Sequence, residues 1–161
     1  MKASIDKYLG GFLVLLMAAM TVDVLWGVFT RYIMGSQASW SEELARYLMI
    51  WIGILGAAYA SGQRLHLAID LLKPKLTPAK AKSVNFFIAG CVIFFAVTVM
   101  LIGGGRLMFI TQKLGQMSPA LNIPKFWIYL VIPLSGIFIL IYQFMHLRDL
   151  MADKSPSDSV A

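Results

Sequence analysis

The sequence predicts an all-α integral membrane protein: four transmembrane helices, a short interfacial amphipathic helix, and both termini in the cytoplasm. Three observations lead there. Hydrophobic residues make up 59 % of the 161-residue chain, against roughly 45–50 % in soluble globular domains. Charged residues make up 14 %, against about 25 % in the same reference set. Four apolar stretches are long enough to cross about 30 Å of hydrocarbon at about 1.5 Å per helical residue. The apolar excess also excludes a disordered chain. A single cysteine, Cys91, excludes a disulfide scaffold.

The whole chain, 1–161, reads as one membrane domain with spans at about 8–33, 44–63, 83–107 and 125–147. The first span carries one acid, Asp23, and its apolar run continues past that acid through Val24, Leu25, Trp26, Val28 and Phe29. A retained span is therefore expected rather than a cleaved leader. Before the second span, Ser39-Trp40-Ser41-Glu42 predicts a capping box, with Ser39 as the cap and Glu42 reaching back. Glu42 and Glu43 then lie in the first turn, where the helix dipole favours acids. Glu42 and Arg46 are four apart and can pair along the helix.

Between spans two and three, residues 65–73 read as an interfacial helix. His66, Asp70 and Lys73 share one face, Leu65, Ile69 and Leu72 share another, and Pro74 stops it. Thr77-Pro78 is a second start signal, with Pro78 at the first helical position, so the third helix is expected to begin ahead of its membrane segment. Residues 83–105 carry no charge. Gly103-Gly104-Gly105 lacks the strand and lysine of a phosphate loop and instead predicts close helix approach or bending. Gly53, Gly56, Ala57, Ala58 and Ala60 predict tight packing of the second helix against a neighbour in this chain or a partner. Pro119 and Asn122-Ile123-Pro124 mark a loop, and Pro133 predicts a kink in the fourth helix. The polar tail 153–161 is expected to be disordered. No repeat relates the two halves, so an inverted-repeat transporter within one chain is not supported.

Basic residues set the orientation. Nine of them (Lys2, Lys7, Arg64, Lys73, Lys75, Lys80, Lys82, Arg148, Lys154) fall on one side and five (Arg31, Arg46, Arg106, Lys113, Lys125) on the other. The positive-inside rule then places both termini in the cytoplasm. Because these basic residues lie between apolar runs, the formal net charge of +6 points to membrane lipid and topology, not to nucleic acid.

Few residues suggest chemistry. No nucleophile–base–acid set and no ligand cluster with metal spacing is present in the sequence, so no enzyme activity, metal or cofactor is expected. Haem held across a bundle needs histidines facing each other at one depth, and the only two, His66 and His146, fall near the same end. Trp26, Trp40, Trp51 and Trp127 read as an interfacial belt with packing. Asp23 is the most expensive residue, at about 2.5–3.5 kcal/mol on insertion scales. It is either a proton or cation site or a structural anchor, paired with a basic group or placed near the outer interface about eight residues from Arg31.

The stretch Arg31-Tyr32, Trp40-Ser41-Glu42-Glu43-Leu44-Ala45-Arg46, Trp51, Gly56-Ala57-Ala58, His66 and Asp70 resembles the small membrane subunit of the tripartite ATP-independent periplasmic (TRAP) transporters. Ser118-Pro119-Ala120-Leu121-Asn122-Ile123-Pro124 and the Tyr129 to Pro133 stretch are also similar to that family, and the resemblance extends from about Leu9 to Leu147. Leu65 departs from it, standing where a glycine is common. The resemblance implies a bacterial inner-membrane system of three parts. A periplasmic substrate-binding protein captures an organic acid such as a dicarboxylate or sialic acid. A large multi-span subunit carries the substrate and sodium sites and moves by an elevator motion. The small subunit extends the fixed scaffold. Arg31, Trp40, Glu42, Glu43, Arg46, Trp51, His66 and Asp70 would then serve as structural motif or partner interface, with no substrate, metal or cofactor site in this chain. The competing reading is a small proton-coupled multidrug exporter, acting as a homodimer through Asp23.

Overall fold

A computed structural model describes residues 2–36, 38–63 and 78–151. The interfacial-helix segment 65–73 with His66 and Asp70, the cap residue Thr77 and the tail 153–161 lie outside the described residues. Helix α1 spans Lys2–Ile33 and α2 spans Ser39–Gly62. Helix α3, Pro78–Phe95, passes into a π-helical segment, Ala96–Gly103, and then into α4, Gly104–Lys113. After a loop come α5, Lys125–Tyr129, and α6, Val131–Met151. No strand occurs among the described residues; Met117 and Pro124 form a lone antiparallel bridge.

Four helical stretches are long and apolar enough to span a membrane: Lys2–Ile33, Ser39–Gly62, Ser83–Lys113 and Lys125–Arg148. The helices outrun the apolar windows that announce them. Backbone hydrogen bonding continues into polar flanks, whereas hydropathy marks only the part that meets hydrocarbon. As expected, the third helix begins at Pro78, ahead of its membrane segment.

Lipid-facing and packed surfaces are readily told apart. Along α1 only Leu9, Asp23, Gly27 and Thr30 are buried, while Val14, Leu15, Val22, Leu25 and Phe29 stand exposed. A soluble protein could not expose such a row; a bilayer solvates it. The last helix is the most enclosed, with 39 % of its apolar window buried against 11 % for the first. Helix α6 packs on α2 and on the π segment, and α1 packs on α2. Two core clusters result: Leu9, Leu55, Val131 and Tyr142, and then Ala58, Ala96, Met100 and Ile139.

Two backbone irregularities sit where the sequence places Gly103-Gly104-Gly105 and Pro133. The π segment ends at Gly103. The last helix is interrupted at Leu130, between α5 and α6. Proline has no N–H, so residue 133 cannot donate to the carbonyl of Tyr129, while Leu130 still donates to Phe126 O at 3.0 Å and Leu134 to Leu130 O at 3.2 Å. Gly104 permits close approach: a Cβ there would lie 2.6 Å from Ile132 Cγ2 and 3.2 Å from Pro133 Cδ. Gly136 makes the reciprocal contact, its would-be Cβ 2.9 Å from Met100 Cβ.

Candidate functional site

The bundle has a hairpin end, where α1 stops, α2 begins and residues 114–124 form a loop, and a terminal end, where α1 begins and α6 stops. Trp40, Glu42, Glu43 and Arg46 lie at the hairpin end, in the first turns of α2.

The expected capping box is not formed. Ala38 is the cap residue, extended at φ −64° and ψ 117°, with no side-chain cap bond. Ser39 is already helical. Tertiary contacts fix this start instead: Ala38 N–H donates to Thr30 Oγ1 at 3.4 Å, and Ser41 Oγ donates to the carbonyl of Asp23 at 3.1 Å. Glu42 turns outward, where Arg46 donates to it at 3.3 Å, so the expected pair along the helix is present.

Glu43 is buried and links α2 to a loop 77 residues away. Its Oε2 accepts from the backbone N–H of Ala120 at 2.8 Å and of Leu121 at 3.1 Å. Its Oε1 accepts from the Tyr47 hydroxyl, one turn along α2. The loop is folded to present those two amides together. Ser118 N–H donates to Ile123 O at 2.9 Å, Asn122 N–H to Ser118 O at 3.0 Å, and Lys125 N–H to Gln116 O at 2.9 Å. Asn122 takes a left-handed conformation, φ 52°, which asparagine tolerates better than most residues. Pro119 occupies the tip, where no N–H is required. A carboxylate meeting two amides and a hydroxyl is fully engaged by its own chain. This arrangement holds a loop and offers nothing to a ligand.

Asp23 is the contrasting acid. It shares the buried face of α1 with Gly27 and Thr30, at i, i+4 and i+7. Its backbone carbonyl receives Ser41, but neither carboxylate oxygen has a hydrogen-bond partner among the described residues. The anchoring ion pair is thus absent there.

The remaining sequence candidates are scattered. Arg31 is exposed at the last turn of α1. Trp40 is exposed; Trp51 lies partly buried, edge-on to Phe12 at 6.4 Å between ring centres. Exposed Trp26 stacks on Phe29 at 5.7 Å, and exposed Trp127 lies tilted against Phe126 at 4.9 Å. Of the small-residue run, Ala58 is fully buried, whereas Gly53 and Gly56 meet nothing within 4 Å of a would-be Cβ. Among the described residues, no group of three or more His, Cys, Asp or Glu is placed to hold a metal.

Sequence reasoning missed Tyr47, Ser41 and the two loop amides. Tyr47 had a signal, lying four residues after Glu43 on one face. Backbone amides carry none.

Residues 10–153 match the family described as tripartite ATP-independent periplasmic transporters, DctQ component. The sialic acid TRAP transporter small permease protein SiaQ of Vibrio cholerae is 28 % identical over 141 residues, covering 84 % of this chain and 77 % of that protein. The isethionate TRAP transporter permease protein DctMQ of Oleidesulfovibrio alaskensis is 32 % identical over 133 residues, covering 77 % of this chain and 20 % of that longer protein. The C4-dicarboxylate TRAP transporter small permease protein DctQ of Rhodobacter capsulatus is 26 % identical over 111 residues, covering 69 % of this chain and 48 % of that protein.

Proposed function

Because this multi-pass membrane chain belongs to the DctQ-component family of tripartite ATP-independent periplasmic transporters, we propose that it is the small, non-catalytic subunit of a sodium-coupled organic-acid importer in a bacterial inner membrane. It stabilises and extends the fixed scaffold of a large elevator-type subunit, which carries the substrate and sodium sites. Both termini lie in the cytoplasm, following the distribution of basic residues. A periplasmic substrate-binding protein delivers the substrate.

One observation carries the scaffold reading. Glu43, in the centre of the most family-specific motif, has its carboxylate engaged by the chain's own loop and tyrosine. The motif therefore closes the end of the bundle from within the chain. An elevator requires a fixed body, because helices fixed by interfacial anchors resist vertical movement. Support for a larger partner comes from the permeases named DctMQ and SiaT, of which this chain matches only 20 % and 21 %. The relatives are named for sialic acid, isethionate and C4-dicarboxylates; organic acids are the common class, and specificity resides in other components.

The test is affinity purification of the tagged chain from native membranes, with mass spectrometry of what accompanies it. A stoichiometric large multi-span protein is expected. Glu43→Ala should lower recovery of that complex while the substrate KM of what remains is unchanged. A wild-type chain recovered alone, or a raised KM at full recovery, overturns the scaffold reading. Asp23, buried without a carboxylate partner among the described residues, keeps the homodimeric exporter in view. Asp23→Asn that abolishes transport with assembly intact would favour that second reading.

A further inference from the structure

The hairpin end contains a unit with two weak junctions at one level. Below it, α3 gives way to the π segment Ala96–Gly103, whose wider turn is a common site of bending and functional adjustment in helices. On the returning stretch Pro133 has no N–H for the carbonyl of Tyr129, so one helical bond is missing between the intact bonds Leu130 N–H to Phe126 O and Leu134 N–H to Leu130 O. The two irregularities face each other, because the backbone of Gly104 lies against Ile132 and Pro133. No large side chain from Gly104 interlocks there. Above this level the chain is tied to itself. Gln116 N–H donates to Thr111 O at 3.2 Å, Lys125 N–H to Gln116 O at 2.9 Å, and Ser118 N–H to Ile123 O at 2.9 Å. Helix α4, the loop and α5 thus form one internally bonded cap, residues 104–129. Its tip is fastened to α2 by Glu43 through the amides of Ala120 and Leu121.

We propose that residues 104–129 are a rigid cap that tilts about a hinge formed by the π segment and the missing helical bond at Pro133, and that Glu43 is the latch holding it closed against α2. The geometry separates three mechanical parts. The cap has its own hydrogen bonds, so it moves as one piece. The π segment departs from α-helical bonding and, facing it, Pro133 removes one helical bond, so bending is concentrated there. The latch is one carboxylate with three donors, so release is a local event rather than unfolding. An arm of about 15 Å, the length of α4 at about 1.5 Å per residue, moves its tip by about 5 Å for a tilt of about 20°. This proposal concerns the chain alone and does not rest on the transporter reading.

Spin-label distances in the full chain, reconstituted in lipid nanodiscs with Cys91→Ser, test it. Three pairs are needed, all at exposed positions. Labels at Met49 and Met117 report the cap against α2. Labels at Leu114 and Ile123 report the cap's interior. Labels at Phe87 and Phe144 report the two helices below the hinge. In Glu43→Gln, the first pair should shift or broaden by about 5 Å for such a tilt, with the other two unchanged. Tyr47→Phe, which removes one of three donors, should give the same pattern at smaller amplitude and guards against a variant that folds poorly. An unchanged first pair in both variants overturns the latch. Broadening of the cap-interior pair overturns the rigid cap, and movement of the lower pair overturns the hinge.

Discussion

The two ends of the bundle are closed by different physics. At the hairpin end, Glu43 grips backbone amides of a loop 77 residues away. At the terminal end, closure is by side-chain fit: Tyr142 donates to Asp6 Oδ1 at 2.6 Å, and its ring lies against Gly62. Gln143 adds a bond to Ser61 Oγ at 3.3 Å, and the Tyr59 ring lies against Gly10. A carboxylate that binds amides is indifferent to which side chains the loop carries. A ring seated on a glycine depends on both identities. Sequence change should therefore be tolerated at Ala120 and Leu121 and punished at Gly62.

The largest expected effect follows from that difference. A Cβ at Gly62 would stand 2.6 Å from Cε1 and Cζ of Tyr142, a ring that is itself buried. Gly62→Leu should destabilise the chain by about 1–3 kcal/mol through overpacking. Thermal denaturation of the detergent-solubilised chain, followed by size-exclusion recovery, reads it. Gly53→Leu is the control, because nothing lies within 4 Å of its would-be Cβ. Equal losses in the two variants would erase the claimed contrast between packed and open glycines.

Glu43→Ala comes next. It strands two amides, yet the loop keeps its internal bonds, so the fold survives with a loosened hairpin end. Proteolytic nicking within 114–124 should rise by about tenfold, as expected for a local opening made easier. Nicking at the wild-type rate would mean the amides are held by something other than Glu43. A smaller change is expected from Tyr142→Phe, which removes the bond to Asp6 but leaves the ring on Gly62. Its expected loss is about 0.5–1.5 kcal/mol, the usual net worth of one hydrogen bond. A loss as large as that of Gly62→Leu would show that the terminal end is held by polar pairing rather than by fit.

What the sequence disclosed follows the same division. Features that act within one helix were legible: the Pro78 start and the Glu42–Arg46 pair. The glycine of close approach was legible as a type, although only Gly104 of the triplet meets a neighbouring helix, while Gly105 meets nothing. The capping box failed because the start of α2 is set from outside it, by Thr30 and by the carbonyl of Asp23. A local motif cannot reveal a competitor 18 residues away on another helix. The grip of Glu43 was hidden more deeply, since its partners are backbone groups that every residue but proline possesses.

Arg46→Ala should have the smallest effect on the chain and is the sharpest test of where a partner sits. The Arg46–Glu42 pair is 61 % and 63 % exposed, so its loss should change stability by less than about 0.5 kcal/mol. The two ends would then respond alike, and the melting temperature would hardly move. Recovery of the assembled complex is a separate readout. A charged pair that contributes little to its own helix, yet stands beside the Glu43 clamp, is placed to meet another protein. Reduced recovery at unchanged melting temperature assigns Arg46 to the subunit interface. Unchanged recovery makes it a solvated surface pair and moves the interface to another face, where the open glycines Gly53 and Gly56 of α2 become the next positions to fill.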